Sequence, residues 1–294
     1  MAKGDFHLHS TASDGVRSPS WVIGAAAAKG VRVLSLTDHD TTAGLAEAGA
    51  AAGRLGLRLI PGVELSADLE SSGVNADIHL LGYGFDVTSA ALQKQLGEYR
   101  EGRIGRVHET VRILAAEGAS ISVERVFAIA GEASVGRPHV ARALMEAGQV
   151  VSVQEAFDRW LGNGKVADVA RPKLSPAAAI GMVHAAGGVV FAAHPVFIGA
   201  NYEPVLAEMA SWGADSIDGI ETYYKNYDAE TVAKHRALAD RLGLATSGGS
   251  DYHGLGNPDD REIGDIPFPD MEVDRFVKFV EARCAHPGRA GAKT

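Results

Sequence analysis

The chain has 294 residues, 46% of them hydrophobic, a formal net charge of -9 and one cysteine. That is enough apolar material for a substantial core in one large domain or a domain with an insertion, while the acidic balance argues against a protein that coats nucleic acid, so an anionic ligand must be met locally, by metal ions or a few arginines. Cys284 alone excludes an intrachain disulfide and a thiolate metal cluster; with no signal-peptide pattern before Asp5 and no apolar run of membrane-spanning length, a cytoplasmic protein is expected.

In chain order, Asp5–His9 reads as a first strand, where alternation points His7 and His9 to one side and Phe6 and Leu8 into apolar packing. Helix-like Ser20–Lys29 leads to a second strand, Val31–Thr37, and Thr42–Leu55 to a third, Arg58–Val63. A fourth follows at Asp77–Tyr83. After a long interruption come helix Pro176–Ala186, strand Gly188–Ala193, helix Pro204–Trp212, strand Ser216–Glu221, helix Ala229–Leu242 and strand Leu244–Ser247. Gly30, Gly56, Gly187 and Gly243 stand where helices end before strands, as C-terminal caps require. The alternation is that of βα units. From about Thr88 to Lys173 the pattern is helical, with Arg100, Arg103, Arg106 and Arg112 near one face of a long helix starting around Ser89. The expected organisation is a barrel from 1–87 and 174–285, a helical cap at 88–173 and a flexible tail at 286–294.

Metal-competent side chains fall at the strand ends. His7 and His9 lie on the first strand, Asp38-His39-Asp40 follows the second, Glu64 ends the third and His79 sits in the fourth. His194-Pro195 ends the fifth, Glu221 the sixth, and Asp251 and His253 follow the seventh. Singly, each has a bland reading: a helix cap, a solvated carboxylate, a satisfied strand histidine. Together, at the carboxyl ends of parallel strands, they would converge on one barrel face, where active sites are built.

The motifs His7-Leu8-His9-Ser10, Thr37-Asp38-His39-Asp40, Gly62-Val63-Glu64, Ala193-His194-Pro195 and Gly249-Ser250-Asp251-Tyr252-His253 resemble those of the PHP (polymerase and histidinol phosphatase) family of amidohydrolase-like phosphoesterases, in particular its branch acting on 3',5'-bisphosphonucleotides and trimming short RNA from the 5' end. The resemblance implies an α/β fold, a distorted seven-stranded (β/α)7 barrel with a helical insertion, holding up to three divalent metals. It places the first metal on His7, His9, Glu64 and Asp251, the second on Asp14, His39 and His253, and the third on Glu64, His79 and His194, with Glu64 bridging. Asp14 stands where other members carry histidine, which argues for Mn²⁺, with Zn²⁺ and Fe²⁺ as alternatives. Asp38 and Asp40 are expected to orient imidazoles; Glu221 either does so or merely closes a strand.

Such a cluster supplies phosphoester hydrolysis with a metal-bound hydroxide as nucleophile. His194 and His253 are the candidates for assisting the leaving group, with no general acid assigned. Substrate contacts are expected from the cap: Arg103, Arg106, Ser134, Val135, Arg137 and His139, the last two in an Arg-Pro-His motif suited to phosphate. Asp14 and His39 are expected to face the same substrate, and Lys173 and Tyr252 are weaker candidates. Arg103 and Arg106 have helix-spaced acidic neighbours and read equally well as a solvated face. The remaining histidines, His108, His184, His235 and His286, read as surface or packing residues.

The expected reaction is removal of the 3'-phosphate from a small anionic nucleotide, adenosine 3',5'-bisphosphate or its like. Alternatives are 5'-3' exoribonuclease action on short 5'-phosphorylated RNA, histidinol-phosphate hydrolysis, and a non-catalytic scaffold module of the same fold. Oligomeric state is not expressed in the sequence.

Overall fold

The computed structural model describes residues 4–71, 74–169, 174–199, 202–255 and 262–284. Seven strands form one sheet in chain order: β1 Gly4–Asp5, β2 Val33–Leu36, β3 Arg58–Ser71, β4 Val74–Tyr83, β5 Val189–Ala192, β6 Gly219–Tyr224 and β7 Ala245–Gly249. Past Asp5 the chain runs on extended beside the last strand. Phe6 N donates to Gly248 O at 3.1 Å, His9 N donates to Tyr252 O at 3.0 Å, and Leu8 bridges Tyr252, which brings the two ends of the sheet together.

One expectation about direction is corrected. The β1–β2, β2–β3, β5–β6 and β6–β7 pairs are parallel, but β4 is antiparallel to both β3 and β5. The cause is a hairpin: β3 runs well beyond Val63, to Ser71, and turns directly into β4, and a tight connection of this kind can join only antiparallel strands. Glu64 is therefore inside β3, and His79, opposite Ser66, reaches the same rim from the earlier part of a strand running downward.

The helices are α1 Pro19–Ala28, α2 Leu45–Leu55, α3 Ala90–Ala116, α4 Val123–Ala130, α5 Arg137–Glu146, α6 Val153–Ala156, α7 Pro176–Ala185, α8 Tyr202–Met209, α9 Ala229–Leu242 and α10 Asp270–Cys284, with a π turn at Phe157–Leu161 and a 3₁₀ turn at Pro195–Ile198. Starts follow local rules: Ser18 accepts from Trp21 N ahead of Pro19, and Ser175 accepts from Ala178 N ahead of Pro176. Of the expected caps, Gly56 and Gly243 end α2 and α9 with φ of 67° and 68°, a conformation that costs other residues strain.

Alternation sorts each strand into two faces. Val63, Leu65 and Ala67 of β3 pack outward with Val22, Ala48 and Ile180 of the surrounding helices. Ile60 faces the other way, with Phe6, Leu81, Tyr83 and Phe191. Phe276 of α10 fills that interior, its ring 4.2 Å from Phe6, 5.1 Å from Tyr83 and 5.4 Å from Phe191. Each buried phenyl contributes about 1.5–3 kcal/mol, so one end of the barrel is closed by aromatic packing. Following the same rows towards the other end, Ile60 and Gly62 lead to Glu64, and Tyr83 and Leu81 lead to His79. That end is polar.

Helices α3 to α6 carry an apolar cluster of their own, with Val107, Leu114, Val126, Val140, Leu144, Trp160 and Leu161. The long helix begins after Ser89 as expected, but its arginines do not share a face. Arg103 is buried, whereas Arg112, half a turn away in projection, is exposed and pairs with Glu109 at 2.7 Å.

Candidate metal centre

Six imidazoles and three carboxylates meet at the polar end of the barrel. Glu64 is at the centre: Oε2 lies 3.3 Å from His7 Nε2, 3.2 Å from His9 Nε2 and 3.1 Å from His39 Nδ1. Its Oε1 lies 2.9 Å from His79 Nδ1 and 3.2 Å from His194 Nε2. Asp251 Oδ1 is 3.3 Å from both His7 Nε2 and His9 Nε2. Asp14 sits on the far side, 3.6 Å from His39 Nε2, 3.4 Å from His253 Nε2 and 3.7 Å from His9 Nδ1. All nine residues expected as ligands are thus brought together. Four sets have ligand atoms within 4.8 Å of one another: His9 with Asp14, His39 and His253; His7 with His9 and Asp251; His7 with Glu64 and His194; and His39 with Glu64 and His79.

The electrostatics explain what holds so polar a group together. Burial disfavours the carboxylate charge of Glu64, but His39 and His7 outweigh it and hold the carboxyl well below the ordinary range. Asp14, buried but facing His39 and His253, and Asp251, buried but facing His7 and Lys225, are lowered in the same way. Burial works against a charge on His9, yet Asp251, Glu64 and Asp14 raise it to about 10. At His39 burial, together with the neighbouring His9 and His79, prevails over the attraction of Glu64 and Asp14, and its pKa falls to about 3.

These residues fit divalent cations. Among the described residues, His7 Nε2, both ring nitrogens of His9 and His39 Nδ1 are buried with no hydrogen-bond partner, and a buried polar atom left in that state costs about 1–3 kcal/mol. A mixed imidazole and carboxylate donor set suits Mn²⁺, Fe²⁺ or Zn²⁺.

A layer behind the cluster fixes it. Glu221 accepts from His7 Nδ1 at 3.0 Å and from His194 N at 2.7 Å, so it orients an imidazole as metal sites require. Asp38 has a different task from the expected one. Its oxygens accept from Ser10 N, Ser10 Oγ and Ser13 Oγ at 2.8, 2.8 and 2.7 Å, bracing the loop that carries Asp14. Asp40 accepts from Arg103 Nε at 2.7 Å and Ser66 N at 3.2 Å. Among the described residues, the non-glycine positions with positive φ are Asp40 (51°), His194 (26°) and Asp251 (47°), all at this face; such strain persists where neighbours over-determine the backbone. Gly249 lies directly under His7, where a Cβ would fall on the histidine's own Cβ.

Two residues at this face were not anticipated from sequence. Tyr224 Oη donates to Asp251 Oδ2 at 2.7 Å, and Lys225 Nζ donates to Asp251 O at 3.1 Å and Oδ2 at 3.3 Å. These contacts leave Oδ1 for the histidines. Their signal was available, since both follow Glu221 at the carboxyl end of a strand.

The cap residues divide. Ser134 N donates to Ala12 O at 2.9 Å, placing Ser134 against the loop of Asp14 with its Oγ buried and without a hydrogen-bond partner among the described residues. His139 Nδ1 accepts from Gly136 N at 3.0 Å, capping α5, and burial lowers its pKa. Arg103 spends its fork on Asp40, Ser66 Oγ and Val135 O. Arg137 turns into the cap, donating to Leu161 O, Asn163 Oδ1 and Asp168 Oδ1 at 3.1, 3.0 and 3.3 Å. Arg106 is half-buried one turn beyond Arg103, and Tyr252 is buried between Asp251 and His253, its ring stacked on Trp21. Lys173 and His286 lie outside the described residues. Of the other histidines, His108 packs on Phe127, His184 bonds Asp218 Oδ2 at 2.7 Å and His235 is fully buried.

Comparison with known proteins places this geometry. The PHP domain model matches residues 5–169. A 5'-3' exoribonuclease of Haemophilus influenzae is 36% identical over 254 residues, covering 85% of this chain and 90% of the relative. A 3',5'-nucleoside bisphosphate phosphatase of Chromobacterium violaceum is 34% identical over 270 residues, covering 91% and 93%. Among solved structures, an amidohydrolase from Chromobacterium violaceum with bound sulfate and no metal has a TM-score of 0.85 at 32% identity, covering 98% of this chain and 99% of the other.

Proposed function

The chain belongs to the PHP domain family and is a metal-dependent phosphoesterase, and from that premise we propose that it hydrolyses the 3'-phosphate of 3',5'-bisphosphonucleotides, releasing a 5'-monophosphate and inorganic phosphate. The observation that carries the reading is the convergence of nine metal-competent side chains, Glu64 at their centre, in a chain whose relatives include a 3',5'-nucleoside bisphosphate phosphatase. In this reading one cation is held by His7, His9, Glu64 and Asp251, one by Asp14, His39 and His253, and one by Glu64, His79 and His194. His9 also reaches the Asp14 set. Bound divalent cations would supply an activated water near neutral pH and offset charge accumulating on the phosphoryl oxygens. The Asp14 carboxylate favours Mn²⁺.

The chain's own groups do the rest. Glu221 holds His7 in orientation through Nδ1, and Tyr224 and Lys225 hold Asp251 so that one oxygen faces the histidines. His194 and His253 stand at the rim, where a leaving oxygen would be met. In this reading residues 88–169 cap that rim, with Ser134 N on Ala12 O and His139 beside Ser13 and Asp14 of the same loop. Arg103 and Arg137 hold the cap in place rather than reach a phosphate directly, because their donors are engaged within the fold. No helix among the described residues is long and apolar enough to cross a membrane, which suits a nucleotide substrate met in the cytoplasm.

A second reading, 5'-3' exoribonuclease action, is favoured by the Haemophilus influenzae relative, because a 5'-phosphorylated dinucleotide presents the same two groups on one nucleoside. The test is phosphate and nucleotide release by the Mn²⁺-loaded protein from adenosine 3',5'-bisphosphate, a 5'-phosphorylated dinucleotide and histidinol phosphate, repeated after chelation. The bisphosphate is expected to be turned over fastest and chelation to abolish it. Preference for histidinol phosphate would overturn the reading.

A further inference from the structure

Two aromatic side chains stand out as exposed among the described residues, Trp21 at 43% and Phe197 at 64%. Both are at the metal face. Trp21 is already in company: the Arg17 guanidinium lies over its ring at 4.8 Å and Tyr252 stacks beside it at 6.2 Å with 15° between planes. Phe197 touches two rings. It meets His194 at 5.3 Å and 72°, and Tyr224 at 5.8 Å and 79°, both close to perpendicular. Such contacts fix the ring, and its exposure leaves most of it towards solvent.

The backbone beneath it is held firmly. Phe197 belongs to the 3₁₀ turn Pro195–Ile198 that follows His194 directly. Phe197 N donates to His194 O at 3.0 Å, Val196 N donates to Tyr227 Oη at 3.2 Å, and Pro195 is buried. A large apolar ring on a braced turn, beside an imidazole that touches Glu64, has no packing task that its exposure would serve.

We infer that Phe197 is the platform on which the substrate's nucleobase stacks. The inference rests on the nucleotide reading above and deepens it. A base on this ring lies beside His194, with its ribose and phosphates directed to the cluster. Because every base has a π face, such a platform binds nucleotides with little regard to which base they carry.

The test compares the affinity of the Mn²⁺-loaded protein for AMP and for ribose 5-phosphate by equilibrium binding, which needs no turnover. In Phe197→Ala, AMP binding should weaken by about five- to tenfold, the lower part of the range for one stacked base. Ribose 5-phosphate binding and metal content should stay unchanged, and Phe197→Trp should restore AMP affinity. Equal losses for both ligands would mean that Phe197 acts through His194, and no loss for either would mean that the base lies elsewhere; each overturns the inference. So would a wild-type protein that binds AMP no more tightly than ribose 5-phosphate. Phosphate release from adenosine 3',5'-bisphosphate by the wild-type protein reads the functional proposal separately, so either can fail alone.

Discussion

The metal face and the cap treat their polar groups in opposite ways. At the metal face, side chains from six strands and the loop after the first are pressed together, and several ring nitrogens are left without hydrogen-bond partners. In the cap, cations pair within the fold: Arg112 with Glu109, Arg125 with Glu146, Arg159 with Glu155, and Arg137 with Asp168. A sheet holds side chains where its register puts them, however far apart in sequence, so it can keep polar atoms ready for a ligand at a cost in stability. Exposed helices have no such grip. Their long cationic side chains reach the nearest carboxylate, often three or four residues away.

The largest expected effect tests the first half of that contrast. Glu64→Gln removes the charge that both groups of histidines face. It should lose metal from more than one position and reduce phosphoester hydrolysis by more than the roughly 10–100-fold that loss of an outer partner costs a metal site. Glu221→Gln, which alters the partner of His7 Nδ1 and of His194 N but removes no candidate ligand, should fall within that range. Metal analysis alongside phosphate release checks both. Full metal occupancy in Glu64→Gln would mean that the cluster is not organised around this carboxylate.

The same contrast explains what was legible in the sequence. The barrel and eight of the nine candidate ligands could be read from histidine and acidic residues standing in or just after the expected strands, and the ninth, Asp14, from the family resemblance. The reversal of β4 was missed because His79 looks the same in a strand of either direction, although Ser72-Gly73 between Ser71 and Val74 is a turn signal. Arg103 and Arg137 were read as phosphate ligands because an arginine fork suits phosphate and carboxylate equally well; only the fold reveals that Asp40 and Asp168 are within reach. Tyr224 and Lys225 were overlooked for a related reason: neither is a metal-ligand type, although their position at the end of β6 is as telling as that of Glu221.

The second prediction separates the arginines. Arg103 ties α3 of the cap to Asp40 beside the metal face, with both partners buried. Arg103→Met strands a buried carboxylate and should destabilise the protein by about 3–5 kcal/mol in urea unfolding. Arg137→Ala, whose contacts lie within the cap and are partly exposed, should cost about 1–2 kcal/mol and leave metal content unchanged. Equal costs would erase the distinction between a strut joining two regions and a tie inside one. Loss of metal in Arg137→Ala would show that this residue serves the metal face after all.

The smallest effect isolates the burial of an imidazole from its company. His9 is buried among carboxylates and is raised to about 10, whereas His235 of α9 is buried between the rings of Tyr202 and Tyr227, with centroids 5.3 and 4.9 Å away. Burial, with a small push from Lys234, lowers its pKa to about 4. The unfolded chain takes up a proton near pH 6.5 that the native state refuses until about pH 4. The stability linked to His235 is therefore fully present above pH 6.5 and is lost progressively as pH falls between those values. His235→Phe keeps a ring in the gap and removes the titration, so its unfolding free energy should fall less between pH 7 and pH 4.5 than that of the wild type. The difference should be about 1–2 kcal/mol, allowing for partial entry of water. Because the metal-face histidines are the same in both proteins, their titration cancels in that difference. Parallel pH profiles would mean that His235 is protonated inside its aromatic gap, and burial alone would then not account for the divergence between the two imidazoles.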